Sequence, residues 1–251
     1  MPYQISIIIP VLNEVEIIGN LLSYLSNNST ATNSTEIIVV DGGSTDGTLD
    51  LVRTFSVIEN TKKADSITKP EFKHQPNIFL INSPKGRAKQ MNLGAQAATG
   101  NVLYFLHADS FPPKDFDQLI INEVNRGNNA GCFRMQFDSN HWWLRLAGWL
   151  TQFSWRASRG GDQSQFISKE LFFELGGFDE NYTIYEDNDL INKLYARKQF
   201  VVIQEWLTTS ARRYQEHGIW KLQFHFWAIY VKKWFGASAK DLLAYYNKHI
   251  R

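Results

Sequence analysis

The stretch Asn101-Val-Leu-Tyr-Phe-Leu-His-Ala-Asp-Ser110 decides the fold class of this 251-residue chain. Its five consecutive apolar residues, 102–106, are too few to cross a membrane and predict a strand buried on both faces. Pro112-Pro113 then stop any continuation of the strand. Because open α/β sheets bind ligands at the carboxyl ends of their strands, Asp109 is a candidate for a binding site.

Asp109 has two interpretations. A carboxylate at this place suits Mg²⁺ or Mn²⁺, because these ions prefer hard oxygen ligands and bridge readily to phosphates. Alternatively, Asp109 caps the helix that is predicted to begin near Pro113. The remaining motifs of the chain favour the first interpretation.

Two further strands come earlier in the chain. Residues 4–10 (QISIIIP) form a β-branched run that a proline ends, and residues 36–41 (EIIVVD) form a second run that ends in Asp41. Apolar residues at helical spacing lie between the two runs. The strands are therefore predicted to be parallel, with right-handed crossovers. Asp41 either contacts a ribose or base edge, as acids do at this place in dinucleotide folds, or caps the next helix.

The turn after the first strand argues against one class of enzyme. Pro10-Val-Leu-Asn-Glu14 contains no glycine, so the G-x-G-x-x-G fingerprint of NAD enzymes is missing, and the sequence has no P-loop either.

Composition sets the remaining limits. The net charge of +1 gives no reason to expect a nucleic-acid partner. A single cysteine, Cys132, excludes an internal disulfide and fits a reducing compartment. The N-terminus lacks the pattern of a signal peptide, and no run of about 18 apolar residues is present. We expect a cytoplasmic protein, which the tail could hold at the inner face of the cell membrane.

The chain resembles family 2 glycosyltransferases of the GT-A fold through several motifs in the same order. These are Ser6-Ile-Ile-Ile-Pro-Val-Leu-Asn-Glu14, Ile38-Val-Val-Asp-Gly-Gly-Ser-Thr-Asp-Gly-Thr48, His107-Ala-Asp109, Gly160-Gly-Asp-Gln163, Gly176-Gly-Phe178 and Glu186-Asp187. Within the family it looks like the small bacterial branch labelled selenodomain-associated transferases. The resemblance covers about residues 4–215. It implies a mostly parallel sheet between helices, with a nucleotide-sugar half near 1–110, an acceptor half near 111–215 and a helical extension over 216–251.

The resemblance also implies roles for particular residues. Those expected at the nucleotide sugar are Pro10, Asn13, Glu14, Asp41, Gly43, Asp46, Arg87, Gln90, His107, Ala108 and Asp109, while Gly161, Asp162 and Gln163 are expected on the acceptor side. His107 stands where the common Asp-x-Asp pattern has its first acid. It removes one negative charge, so we expect weaker metal affinity than in the common pattern.

Glu186 and Asp187 begin a predicted helix, where acids are favourable partners of the helix dipole. The functional interpretation is that one of them is a general base, because an inverting transfer needs a base near the acceptor hydroxyl and a carboxylate suffices. In the family, the Glu-Asp pair at this place carries the base. We assign the base to Asp187, with Glu186 as its neighbour.

Basic residues near a helix start are the counterpart of these acids. Arg87 lies near a predicted helix start, where the free backbone amides already favour anions. Alternatively, Arg87 belongs to a charged helix face that is simply exposed to solvent. Arg212 and Arg213 suit a diphosphate through bidentate hydrogen bonds. His217 is either a second metal ligand beside Asp109 or a structural histidine.

The tail, residues 219–251, interleaves aromatic residues with lysines at helical period. Such a pattern is typical of a helix at a membrane interface. It is equally typical of a helix pair that packs on the catalytic domain or on a second subunit.

The sequence therefore predicts an enzyme that moves a sugar from a nucleotide-diphosphate donor of UDP or GDP type to a hydroxyl acceptor, which can be lipid-linked. Mn²⁺ or Mg²⁺ is the expected cofactor. A homodimer or a peripheral membrane contact through the tail is expected, and a nucleic-acid partner is not. Two rival functions are a sugar-1-phosphate nucleotidyltransferase and a non-catalytic nucleotide-sugar-binding or membrane-associated scaffold. The glycine-free turn after the first strand argues against the former, and the intact acids argue against the latter.

Overall fold

The structure is a computed structural model that describes residues 4–30, 35–56, 77–160 and 163–250. Its strands are β1 (Ile5–Val11), β2 (Thr35–Asp41), β3 (Asn77–Asn82), β4 (Val102–Phe105), β5 (Ser110–Phe111), β6 (Ala130–Phe137), β7 (Gln165–Ser168) and β8 (Val201–Thr209). Its helices are α1 (Ile18–Asn28), α2 (Thr48–Phe55), α3 (Arg87–Ala97), α4 (Phe116–Asn125), α5 (Trp142–Leu150), α6 (Lys169–Glu174), α7 (Glu186–Ala196), α8 (Arg212–His217), α9 (Ile219–Trp234) and α10 (Ala239–His249).

One sheet runs through the molecule in the order β3-β2-β1-β4-β7-β6-β8-β5. The first four strands in that order are parallel, as predicted, and β6 and β8 are also parallel. Strand β7 is antiparallel to both of its neighbours, and the two-residue β5 is antiparallel to β8. The carboxyl ends of β1, β2 and β4 therefore meet at one edge of the sheet.

Strand β4 is buried on both faces, which confirms the prediction from its five apolar residues. Val102 and Tyr104 point into a core formed with α1, α2 and α4, whereas Leu103 and Phe105 point into a core formed with α3, α6 and α7. None of these four side chains is more than 3% exposed. Helices cover both faces of the sheet, because a strand without a polar face needs partners on both sides.

Helix α3 packs closely on the sheet because it presents small residues to it. A Cβ at Gly94 would lie 2.5 Å from a methyl carbon of Ile8 and 3.0 Å from one of Val40. The helix that carries Arg87 and Gln90 thus sits directly over β1 and β2.

The C-terminal helices pack on the rest of the protein through one face. Leu222 and Ile229 of α9 and Leu242 of α10 join a third core with Leu144 of α5 and Tyr214 of α8. Much of the opposite face is exposed and aromatic. The exposed side chains of α9 and its C-cap include Trp220, Phe224, Trp227, Trp234 and Phe235.

No helix in the described ranges is both long and apolar enough to cross a membrane. The polar stretch 56–75 is predicted from sequence to be an insertion loop before β3, and all of it except Ser56 lies outside those ranges. The division of the chain near residues 110 and 215 stays a prediction.

Candidate functional site

Asp41 lies at the carboxyl end of β2, opposite Val11 of β1. Its buried carboxylate accepts hydrogen bonds from the backbone N–H groups of Gly43 at 2.8 Å and Ser44 at 3.0 Å. It therefore folds the turn back over the end of the strand and does not cap α2, which begins at Thr48. Gly43 adopts a φ of +97°, which this turn requires.

Asn13 locks the turn after β1 to the turn after β2. It adopts a left-handed backbone conformation with a φ of 58°, which asparagine tolerates better than most residues. Its N–H donates to Ser44 Oγ at 2.8 Å, and its Oδ1 accepts from the N–H of Thr45 at 2.8 Å. Asp46 accepts a hydrogen bond from the N–H of Val15 at 3.1 Å, which is a further bond between the two turns.

Gln90 fastens the same two strands from beneath. Its Nε2 donates at 2.8 Å to the carbonyls of Val11 and Val40, at the ends of β1 and β2. Both amide hydrogens are used in these bonds, and the side chain is buried. Gln90 thus lies at the carboxyl ends of β1 and β2 and holds together the two turns that follow them.

Arg87, Glu186 and Asp187 form an ion cluster across 99 residues of sequence. The Arg87 Nε donates to Glu186 Oε1, and its Nη2 lies 3.8 Å from Asp187 Oδ2. Glu186 is fully buried, and this burial raises its pKa although the Arg87 guanidinium opposes the rise. The cluster joins the start of α3 to the start of α7.

His107 lies beside this cluster at the carboxyl end of β4. It lines a small cavity together with Arg87, Asp187, Gln165 and Gly160. Burial and the nearby guanidinium groups of Arg87 and Arg213 lower the pKa of His107 to about 3. The imidazole is therefore neutral at physiological pH and can act as a hydrogen-bond partner or ligand. Asp187 lines this cavity, whereas Glu186 lies behind it.

Glu14 and Asp109 form a second pair of acids that interact electrostatically. Burial raises the pKa of Glu14, the Arg212 guanidinium lowers it, and the nearby Asp109 carboxylate raises it further. Glu14 Oε2 is buried without a hydrogen bond among the described residues, and Arg212 Nη2 lies 3.6 Å from it. A cation at this place would offset the repulsion between the two carboxylates. Asp109 does not cap α4, which begins at Phe116 with Asp115 at its N-cap.

The described residues contain no group of three or more His, Cys, Asp or Glu side chains arranged to hold a metal ion. Mg²⁺ that is bound beside phosphates needs only one or two carboxylates, together with water and the phosphates themselves. Asp109 fits such a site, with Glu14 near it. His217 is the last residue of α8, and its role as a ligand stays a prediction.

The other predicted residues are placed as follows. Pro10 belongs to β1 opposite Val40, and Ala108 is buried beneath the edge of the sheet. Arg213 turns toward the tail, where its Nη2 donates to the Tyr246 hydroxyl at 2.7 Å. Gly161 and Asp162 lie outside the described residues.

Gln163 belongs to a buried network that the sequence did not indicate. Its Oε1 accepts from Arg159 Nη1 at 2.8 Å, and the same nitrogen lies 3.1 Å from Cys132 Sγ. Arg159 is only 2% exposed. No sequence pattern singled it out, because a buried arginine and a surface arginine look alike in a polar turn.

A family model described as "Glycosyl transferase family 2" matches residues 6–178. The "Probable glycosyltransferase YdaM" of Bacillus subtilis (strain 168) is 28% identical over an alignment of 208 residues that covers 76% of this chain. The chain spans only 46% of that relative's length.

Two solved structures resemble the fold. The mannosyltransferase PcManGT from Pyrobaculum calidifontis, in complex with GDP-Man and Mn²⁺, has a TM-score of 0.66 at 17% identity, over 95% of this chain and 66% of that one. S. aureus TarS 1–349 in complex with UDP-GlcNAc has a TM-score of 0.61 at 16% identity, over 82% of this chain and 58% of that one. The likeness confirms the predicted GT-A fold.

Proposed function

Because the chain belongs to glycosyl transferase family 2 and is a transferase, we propose that it moves a sugar from a nucleotide-diphosphate donor to a hydroxyl group of an acceptor. The observation that carries the proposal is the cavity at the end of β4. An arginine, a neutral histidine and a carboxylate, namely Arg87, His107 and Asp187, line this cavity. His107 is two residues before Asp109 in the sequence. A guanidinium group that can bind phosphate and a carboxylate that can act as a base near a candidate metal ligand support the proposal.

The donor lies across the carboxyl ends of β1, β2 and β4 in this proposal. The turn that Asp41 shapes and Asn13 locks receives the nucleoside. Arg87 and Arg212 then provide positive charge for the diphosphate, since guanidinium groups bind phosphate oxygens in pairs. Solved structures of the fold hold UDP-GlcNAc or GDP-Man, which supports a donor of UDP or GDP type.

Asp109 is the residue that would hold Mn²⁺ or Mg²⁺, with Glu14 near it. A bound ion supplies positive charge that stabilises the departing diphosphate. A structure of the same fold contains Mn²⁺, which supports this assignment.

Asp187 is the proposed general base. It lines the cavity, and its Oδ1 accepts from the N–H of Asn188 at 2.7 Å, which fixes the carboxylate. Asp187 takes the proton of the acceptor hydroxyl, whose oxygen bonds to the anomeric carbon while the bond to the diphosphate breaks. A single displacement of this kind inverts the configuration at that carbon.

The test is thermal melting of the protein with UDP, GDP, CDP or dTDP, each with and without Mn²⁺. A nucleotide that binds only the folded state raises the melting temperature by mass action. We expect one nucleotide to stabilise the protein and the effect to need Mn²⁺. Asp109→Asn should abolish the Mn²⁺-dependent part.

Asp115→Asn is the matched control, because Asp115 is an exposed acid six residues further along and asparagine tolerates its left-handed backbone. It should keep the full response. Absence of stabilisation by all four nucleotides at millimolar concentration would contradict the proposed donor class.

A further inference from the structure

A cleft of about 1040 Å³ lies between α5, α9 and the segment that follows α5. Its walls are mostly apolar and aromatic, and they include Phe137, Trp143, Leu150 and Trp227. Sites that bind small organic molecules have this size and lining, with few polar groups. The proposed donor site does not use this cleft.

The inner end of the cleft adjoins the proposed base. Gly160 lines both the cleft and the cavity that contains Asp187. Asn188, the next residue after Asp187, accepts hydrogen bonds at its Oδ1 from Arg156 Nη2 at 2.9 Å and from the Tyr230 hydroxyl at 3.4 Å. A molecule that fills the cleft therefore has one end beside the carboxylate.

The charge of the cleft is positive at this end. Arg156 and Arg159 line it, and no acidic side chain does so among the described residues. Arg159 donates to neutral acceptors, including the carbonyl of Phe153 at 2.7 Å, and its buried Nε has no hydrogen-bond partner in the described part of the chain. Two guanidinium groups beside an apolar wall are complementary to an anionic head on an apolar chain.

The outer end of the cleft is rimmed by exposed aromatic residues. Trp155 and Trp227 line it and are 57% and 50% exposed. The Trp143 ring lies 5.8 Å from the Trp227 ring and 5.4 Å from the Trp220 ring, so the aromatic lining continues onto the surface. An apolar chain can therefore enter from outside without crossing a polar rim.

We propose that this cleft holds the hydrocarbon chain of a lipid-phosphate acceptor, whose phosphate lies near Arg156 and whose accepting hydroxyl group, carried beyond the phosphate, reaches Asp187. The proposal rests on the function proposed above and names the acceptor class for that site. The juxtaposition that carries it is the aromatic cleft, its two arginines and the shared Gly160.

The first experiment measures binding of butyl, octyl and dodecyl phosphate to the full chain by calorimetry, below the concentration at which they form micelles. Each methylene that enters the cleft should strengthen binding about four-fold, the equivalent of about 0.8 kcal/mol. An affinity that does not depend on chain length would overturn the proposal.

Ala147→Trp places a bulky side chain in the cleft, because Ala147 lines it. We expect this variant to lose the dependence on chain length. The matched control is Leu146→Trp, the neighbouring residue of α5, which is 39% exposed and does not line the cleft. Equal dependence in both variants would place the bound chain elsewhere and overturn the proposal.

A second pair of variants tests the same prediction independently, in case Ala147→Trp does not fold. Val231→Glu introduces a charge at the cleft wall, whereas Phe224→Glu introduces one on α9 outside the cleft. Only the former should weaken octyl phosphate binding.

Arg156→Gln should weaken binding of octyl phosphate about ten-fold and leave octanol binding unchanged. Equal effects on the two ligands would exclude a phosphate at Arg156.

The experiments distinguish an error in the proposed acceptor class from an error in the proposed donor function. If Ala147→Trp loses chain binding but keeps the melting response to a nucleotide and Mn²⁺, both proposals stand. If the wild type binds nucleotide and its alkyl phosphate binding is independent of chain length, only the acceptor class is wrong. If it binds alkyl phosphate in the cleft and no nucleotide, the proposed donor function is wrong and the cleft remains a lipid site.

Discussion

Asp187 and Glu186 are adjacent in sequence but have different surroundings. Glu186 is fully buried and bonded to Arg87, whereas Asp187 opens onto the cavity beside His107. A base must reach the acceptor hydroxyl, and of the two acids only Asp187 lines the cavity. In the proposed mechanism Asp187 is therefore the base, and Glu186 positions Arg87.

Asp187→Asn should lower kcat about 10²–10⁴-fold, the usual contribution of a general base. The nucleotide-induced rise in melting temperature should remain, because binding of the nucleotide does not depend on the general base. Asp189→Asn is the control, since Asp189 is on the same helix and pairs with Lys193 at 3.0 Å. A larger loss of kcat in Glu186→Gln than in Asp187→Asn would exchange the two roles.

Glu186 also predicts a pH dependence of stability. Burial raises the pKa of Glu186 above its value of 4.5 in the unfolded chain, so the folded state holds this proton at pH values where the unfolded state has lost it. This contribution is complete below pH 4.5 and is lost as the pH rises through the folded-state pKa.

The free energy of unfolding of the wild type relative to Glu186→Gln should therefore fall with increasing pH, by at most about 1.4 kcal/mol per pH unit. Denaturant titrations from acid to neutral pH measure this difference. A difference that grows with pH would mean that the Arg87 ion pair outweighs the cost of burial.

Among the elements, helix α3 links the fold most directly to the site. Its Gly94 touches β1 and β2, and Gln90 and Arg87 lie one and two turns earlier on the same helix. Moving the helix away from the sheet therefore moves both side chains.

Gly94→Ala should destabilise the protein by about 1–3 kcal/mol, because its methyl group would overlap Ile8 and Val40. It should also weaken nucleotide binding, although Gly94 touches no proposed ligand. Gln96→Ala, at an exposed position of the same helix, should change stability by less than about 0.5 kcal/mol. Unchanged nucleotide binding in Gly94→Ala would show that the position of α3 does not control the site.

The elements also show where prediction from sequence succeeds. Strands β1, β2 and β4 were predictable because each contains a continuous apolar run, and Pro10 and Asp41 end the first two of these runs. Strand β5 was not, since its two residues carry no pattern and exist as a strand only by pairing with Thr208 and Thr209 of β8.

The candidate site divides in the same way. Asp41 and Asp109 were predicted as site residues because Asp41 ends one predicted strand and Asp109 follows another, and the Glu-Asp pair because it matches a family motif. The contact of Arg87 with Glu186, the approach of Arg212 to Glu14 and the burial of Arg159 depend on the tertiary fold. Such contacts join residues that are far apart in the sequence, so they cannot be predicted from the local pattern of apolar residues.

At the scale of the whole molecule, the exposed aromatic face of the tail is the main unexplained surface. Trp234 and Phe235 are 84% and 80% exposed at the end of α9, next to Lys232 and Lys233. Aromatic residues beside lysines are typical of a helix that lies at a membrane surface.

We expect the protein to float with vesicles that contain anionic lipid and to bind neutral vesicles more weakly. Trp234→Ser combined with Phe235→Ser should abolish the association without changing the melting temperature. Phe173→Ser, an exposed phenylalanine on α6, is the control and should retain it. A concentration-dependent dimer that the double variant disrupts, without vesicle binding, would favour the alternative of a subunit contact.

The position of β4 has a consequence for cooperativity. This strand pairs with β1 on one side and β7 on the other, and its side chains alternate between two cores. Neither of the two predicted halves, about residues 1–110 and 111–215, can therefore lose structure without exposing β4. Scanning calorimetry should record one heat-absorption peak, and separately expressed halves cut after residue 110 should regain order only when mixed.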